Sequence, residues 1–156
     1  MITTQFTPPQ AALVAIDIAK NRHEVLIDPG AGMRRRRLSV LNNRAEHDRL
    51  VATLRDLGRP VIVGFEPTGN YHRVLAHRLI SAGFETRLIS SMALARTREA
   101  LHNGWDKNDP KDAQVILHML RIGATTVYSD PGYGRLNDLQ ELSKTHDMVS
   151  RAKTEL

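Results

Sequence analysis

The sequence predicts an α/β fold: one mixed β-sheet with helices on both faces, followed by a linker helix at the C-terminal end. Three observations predict it. Three strand-like runs come first, joined by turns with no helix between them. Helical and strand patterns then alternate to about residue 122. No Gly-rich turn follows the first strand, which argues against a dinucleotide-binding βαβ unit.

Each element has a local reason. ALVAIDI (12–18) is a short apolar run ending in an acid, the pattern of a buried central strand. HEVLID (23–28) is the second strand, Pro29-Gly30-Ala31-Gly32 a turn, and MRRRRLSV (33–40) the returning strand of a hairpin. Four consecutive arginines cannot all point inward, so this strand is expected near a sheet edge. Asn42 or Asn43 caps a helix running to about Leu57, with Leu50, Val51, Leu54 and Leu57 at helical spacing and Gly58 as its stop. PVIVGFE (60–66) is apolar enough to be buried on both faces. A loop at 67–70 leads to a helix over 71–82 that carries Val74, Leu75 and Leu79 inward, with Asn70 able to cap it. FETRLIS (84–90) is a strand, 91–102 a helix, 102–109 a polar loop, and Pro110 to about Ile122 another helix. A β-meander followed by alternating α and β fits a ribonuclease H-like fold.

The expected organisation is a flexible tail over 1–10, a catalytic domain over 11–130, and a linker over 131–156. In the linker, Leu136, Leu139, Leu142, His146, Val149, Ala152 and Leu156 recur every three or four residues, an amphipathic helix with a partly coiled-coil seam. It reaches Leu156 with no stop signal, which suggests the front part of a longer protein and makes self-association plausible.

Composition narrows the class of function. The 156 residues suit one domain. Hydrophobic residues make up 41% and charged residues 25%, ordinary for a globular protein. The absence of cysteine excludes disulfides, thiol catalysis and cysteine-based zinc sites. No apolar run approaches the ~20 residues of a membrane span, and the start lacks a signal-peptide layout, so a cytoplasmic protein is expected. The net charge is +5, and residues 30–59 alone hold eight arginines against Glu46, Asp48 and Asp56. A localised basic stretch suits a polyanion, most often nucleic acid, or equally a solvated Arg-rich surface.

Four acids stand apart. Asp17 and Glu66 end apolar strands, and Asp109 and Asp112 lie three apart at the start of a helix, where i and i+3 share a face. Acids at the ends of buried strands are costly unless paired or metal-bound. If the two strands are central and the helix crosses them, all four carboxylates converge, and they cannot all ionise side by side without cations. Hard oxygen donors suit Mg²⁺ or Mn²⁺, and two such ions promote phosphodiester chemistry. Each acid also has a local role open to it: Asp17 at a turn, Glu66 in a loop, Asp109 as an N-cap before Pro110, and Asp112 favouring the helix dipole.

The segments VAIDIAK, GFEPTGNYH and KNDPKDA resemble the signature blocks of the DEDD transposases of the Piv-invertase type, bacterial insertion-sequence recombinases with a RuvC-like N-terminal domain. The resemblance covers roughly residues 11–130. It implies that Asp17, Glu66, Asp109 and Asp112 are the four metal-binding acids, holding two Mg²⁺ or Mn²⁺ ions for cleavage or strand transfer in DNA. It implies DNA and a structured guide RNA as partners, and a second domain after the linker that supplies an attacking serine.

Other residues are candidates around this centre. Arg34, Arg35, Arg36 and Arg37, with Arg44 and Arg49 on the adjoining helix, are placed to contact phosphate without reading sequence. Lys107 and Lys111 flank the acid pair and either contact phosphate or offset carboxylate repulsion. Thr68, Gly69 and Tyr71 shape the loop after Glu66, with Gly69 permitting a tight turn. Trp105 either anchors the core or stacks on a base. The scattered histidines do not form a metal-ligand pattern. Two other classes remain open: a nucleic-acid-binding or dimerising module that is inactive without a second domain, and half of an actin-like ATPase. The latter expects a Gly-rich phosphate loop after Asp17, where the chain has Ile-Ala-Lys-Asn.

Overall fold

A computed structural model describes residues 6–30, 32–101 and 111–128. The elements run β1 (Ala12–Asp17), β2 (Arg22–Asp28), β3 (Arg36–Leu41), α1 (Arg44–Arg55), β4 (Val61–Phe65), α2 (Arg73–Ser81), β5 (Glu85–Leu88), α3 (Ser91–Leu101), α4 (Lys111–Ile122) and β6 (Thr126–Val127). The expected linker helix over 131–156, Trp105 and the first five residues lie outside the described residues.

The strands form one six-stranded sheet in the order β3-β2-β1-β4-β5-β6. β1, β2 and β3 are an antiparallel meander, β4 and β5 continue it in parallel with β1, and β6 returns antiparallel to β5. This is the ribonuclease H-like arrangement. β1 is central and β3 is an edge, as the apolar run of the one and the arginines of the other require. The short strand β6 was not expected, because two residues carry too little periodicity to be read.

Period-2 alternation divides the core between the two faces. Val14, Ile16, Val25, Ile27, Val63 and Phe65 pack under α1 and α2. Leu13, Ala15, Leu26 and Ile62 pack under α3 and α4. α1 starts as its sequence dictates: the Asn43 side chain accepts from the Glu46 N–H at 2.9 Å. α2 departs from expectation twice. Val74 is 59% exposed and Ala76 is buried instead, because the inward stripe runs through Leu75, Ala76 and Leu79. His72 occupies the N-cap position with no side-chain cap bond, so Asn70 does not cap it.

Gly64 sits in mid-strand in β4, where α4 crosses it. A Cβ there would stand 2.6 Å from Leu120 Cδ2, so only glycine lets α4 lie this close to the sheet. Residues 6–8 of the expected tail are held in place. Thr7 Oγ1 donates to the Leu120 carbonyl at 2.8 Å, and the buried Arg87 guanidinium donates to Thr7 Oγ1 and the Phe6 carbonyl at 2.8 and 2.6 Å. Among the described residues no helix is long and apolar enough to cross a membrane.

Candidate active site

The register of the central strands sets the site. Ile16 pairs with Phe65 on the adjacent parallel strand, so the next residues are Asp17, which ends β1, and Glu66, which directly follows β4. Asp17 shares a face with Leu13 and Ala15, and Glu66 shares a face with Ile62 and Gly64. Both carboxylates therefore leave the sheet on the side that α4 covers, and α4 carries Asp112 in its first turn. Asp109 and Lys107 lie outside the described residues.

The electrostatics report this convergence. The Asp17 carboxyl is pushed above its ordinary value of 3.8, first by burial and then by the charges of Asp112, Glu66 and Glu24. Glu24 contributes because it pairs directly across from Asp17 on β2; its own carboxylate accepts from Ser39 Oγ at 2.9 and 2.8 Å. Arg98 on α3 pulls the other way.

Arg98 carries no signal in the sequence. Its Nη2 lies 2.6 Å from Asp112 Oδ1, a bridge between α3 and α4. Its spacing from the acids follows no helical or strand period, so only the packing of α3 on α4 exposes the pair. Among the described residues no three Asp, Glu or His side chains are gathered closely enough to hold one ion. The donor chemistry nevertheless fits a hard divalent cation: Asp17, Glu66 and Asp112 offer carboxylate oxygens near enough for the charges of the other two to act on Asp17, with Arg98 as the counter-charge.

The loops beside the acids are tied by residues that no sequence pattern singles out for this role. Asn42 donates through Nδ2 to the Lys20 carbonyl at 3.0 Å, after β1, and to the Tyr71 carbonyl at 3.4 Å, after β4. Its Oδ1 lies 3.0 Å from Nε2 of the buried His47. His47 stacks on the buried His23 with ring centroids 6.2 Å apart, and the Ala19 N–H donates to His23 Nδ1 at 3.2 Å. Burial holds both imidazoles below their ordinary value; for His47 the neighbouring His23 adds to this. Gly69 has φ +54°, the left-handed conformation expected of it, in the loop with Thr68 and the exposed Tyr71.

The basic residues fall in two groups. Arg34, Arg35, Arg36 and Arg37 are all exposed at the β2–β3 turn and on the edge strand. Arg36 stands opposite Ile27, itself opposite Val14, so these arginines lie toward the other end of the meander from Asp17. Arg35 reaches Asp28 at 3.7 Å. Arg44 and Arg49 lie on α1 nearer the acid end; Arg49 is engaged by Glu46 at 2.6 Å and by the Ser39 carbonyl at 2.9 Å. Lys111, the first residue of α4, is exposed beside Asp112.

The six-stranded sheet thus carries Asp17 at the end of one central strand, Glu66 just after its neighbour and Asp112 on the crossing helix. The chain belongs to the IS110-type DEDD transposase family, whose model, described as "Transposase", matches residues 14–156. The Thermus thermophilus RuvC structure is similar to it at 13% identity and a TM-score of 0.47, covering 75% of this chain and 99% of that one. T. thermophilus RuvC in complex with Holliday junction substrate is similar at 14% identity and a TM-score of 0.47, covering 76% and 99%. No curated protein matches the chain.

Proposed function

We propose that this chain carries the catalytic carboxylates of a metal-dependent DNA transposase, with Asp17, Glu66, Asp109 and Asp112 as ligands of two Mg²⁺ or Mn²⁺ ions. The observation that supports this reading is the strand register, which sets Asp17 at the end of β1 next to Glu66 just after β4, with Asp112 in the first turn of the helix over that face; burial first, then the charges of Asp112 and Glu66, raise the Asp17 carboxyl. Ions bound there would neutralise the carboxylates and activate a nucleophile at a phosphodiester. The residues supply the rest. Asp17 holds a fixed position at the end of β1 and Glu66 follows directly on β4, while Asp112 rides on α4 at a depth set by Gly64. Thr68, Gly69 and Tyr71 shape the approach beside Glu66. Arg34, Arg35, Arg36, Arg37, Arg44, Arg49, Lys107 and Lys111 grip the backbone of the DNA. A structured RNA, self-association through residues 131–156 and a cytoplasmic, bacterial setting complete the proposal.

One observation favours a second reading, a binding module that is inactive without a further domain: the Asp112 carboxylate is already engaged by Arg98. Calorimetric Mn²⁺ binding and Mn²⁺-dependent nicking of supercoiled or branched DNA separate the two. The catalytic reading expects both, each lost in Asp17→Ala. Metal binding that ignores this substitution sinks the site, and metal binding without nicking favours the module.

A further inference from the structure

The pairing of β1 with β4 ends at Ile16 and Phe65, one residue short of each strand-borne acid. The loops that follow, residues 18–21 and 67–72, therefore share in setting the separation of Asp17 and Glu66.

One side chain from a third segment holds both loops. Asn42, partly buried between β3 and α1, donates through Nδ2 to the Lys20 carbonyl at 3.0 Å and to the Tyr71 carbonyl at 3.4 Å. These partners lie 22 and 29 residues away, so Asn42 is not closing a local turn. Its backbone N–H also donates to the Asn21 carbonyl at 2.8 Å, and the first loop is gripped twice. The orientation of the amide is determined. A backbone carbonyl only accepts, so the Nδ2 protons face the loops and Oδ1 faces His47. Nε2 of the buried His47, 3.0 Å away, then carries its proton and donates to Oδ1. Both donors and the oxygen of one carboxamide are engaged, each on a different segment of the chain.

We propose that Asn42 is a positioning residue of the carboxylate centre: by clasping the loops after β1 and β4 it fixes the separation of Asp17 and Glu66 at which a divalent cation binds. The proposal rests on the metal-site reading above and deepens it. Asn42 acts through the two loops, and His47 acts through Asn42 by holding the amide in its one useful orientation. Removing a group that orients metal ligands typically costs about 10- to 100-fold in metal affinity.

A Mg²⁺ titration of the 156-residue chain, followed by NMR, tests the assignment. Asn42→Leu keeps the approximate shape but neither donates nor accepts, and is expected to bind Mg²⁺ about tenfold more weakly. Asn43→Ala removes the cap bond of α1 and leaves both loops tied. It is expected to melt at a lower temperature with Mg²⁺ affinity unchanged. An Asn42 that served stability alone would behave as Asn43 does. Wild type supplies a measurement that needs no variant. Coupling between two sites is reciprocal, so Mg²⁺ is expected to slow hydrogen exchange of the Asn42 side-chain amide by the same factor of about ten. Unchanged Mg²⁺ affinity in Asn42→Leu, an equal loss in Asn43→Ala, or amide exchange indifferent to Mg²⁺ overturns the positioning role and leaves the metal site standing. Mg²⁺ binding that is absent, or that Asp17→Ala does not affect, overturns both.

Discussion

Arg98 on α3 holds Asp112 on α4 through an Nη2–Oδ1 contact of 2.6 Å, so the acid that joins Asp17 from the crossing helix already has a cation. A metal ligand engaged this way must be released before it can coordinate. Arg98→Gln is therefore expected to tighten Mn²⁺ binding by about two- to fivefold, the scale of a partly exposed ion pair. Arg98→Lys is expected to stay close to wild type. Titration calorimetry checks it, and weaker binding by Arg98→Gln would show that the guanidinium assists the site instead of competing for it.

Asp17 is destabilising when ionised and alone. Its folded-state pKa is raised above 3.8, so the folded protein holds that proton more tightly than the unfolded chain does. Stability from this group is highest at low pH and falls as pH rises from about the ordinary value through the folded one. Asp17→Asn is expected to melt higher than wild type at pH 7 in EDTA, and to lose the extra stabilisation that Mn²⁺ gives wild type. Thermal melts with and without metal measure both effects.

The His23–His47 pair predicts a change of the opposite sign. Both imidazoles are buried and held below 6.5, so on acidification the unfolded chain takes up protons first. Stability is complete above pH 6.5 and declines as pH falls below it toward the folded values. His47→Gln, which keeps a donor for Asn42, is expected to flatten the slope between pH 7 and 5. Melts across that range test it; an unaltered slope would place the titrating groups elsewhere.

The missing side chain of Gly64 lets Leu120 of α4 close on the sheet. Gly64→Ala brings a methyl against Leu120 and is expected to cost about 1–3 kcal/mol. Leu120→Ala empties the same space and is expected to cost about 2–5 kcal/mol. The double variant should cost less than the sum, since each substitution relieves the other. Urea denaturation gives the three values, and strict additivity would contradict the contact.

The exposed edge arginines predict a salt effect. Replacing Arg34, Arg35, Arg36 and Arg37 by alanine is expected to lower the slope of log affinity against log salt for duplex DNA, by up to about 0.9 for each phosphate no longer neutralised. Fluorescence anisotropy over a salt series reads it. A slope equal to wild type would assign the phosphate-binding role to Arg44, Arg49 and Lys111.

The sequence by itself determined the element order, the central place of the ALVAIDI strand, the edge place of the arginine strand and the positions of Asp17, Glu66 and Asp112 at element ends. These are local properties: a run of apolar residues long enough to be buried, a charge run that cannot be, a cap and a stop. Tertiary structure alone decided the rest. The register of β1 on β4 puts Asp17 beside Glu66 and sends both toward α4, and no local pattern encodes a pairing between strands so far apart in the chain. The inward stripe of α2 rotated past Val74 because the sheet, not the helix, selects which side chains are covered. Arg98 met Asp112, and Asn42 bridged two loops, because packing brings together side chains that share no sequence period. Thr125 became a buried hydroxyl with no hydrogen-bond partner among the described residues only when the chain returned to pair β6 with β5.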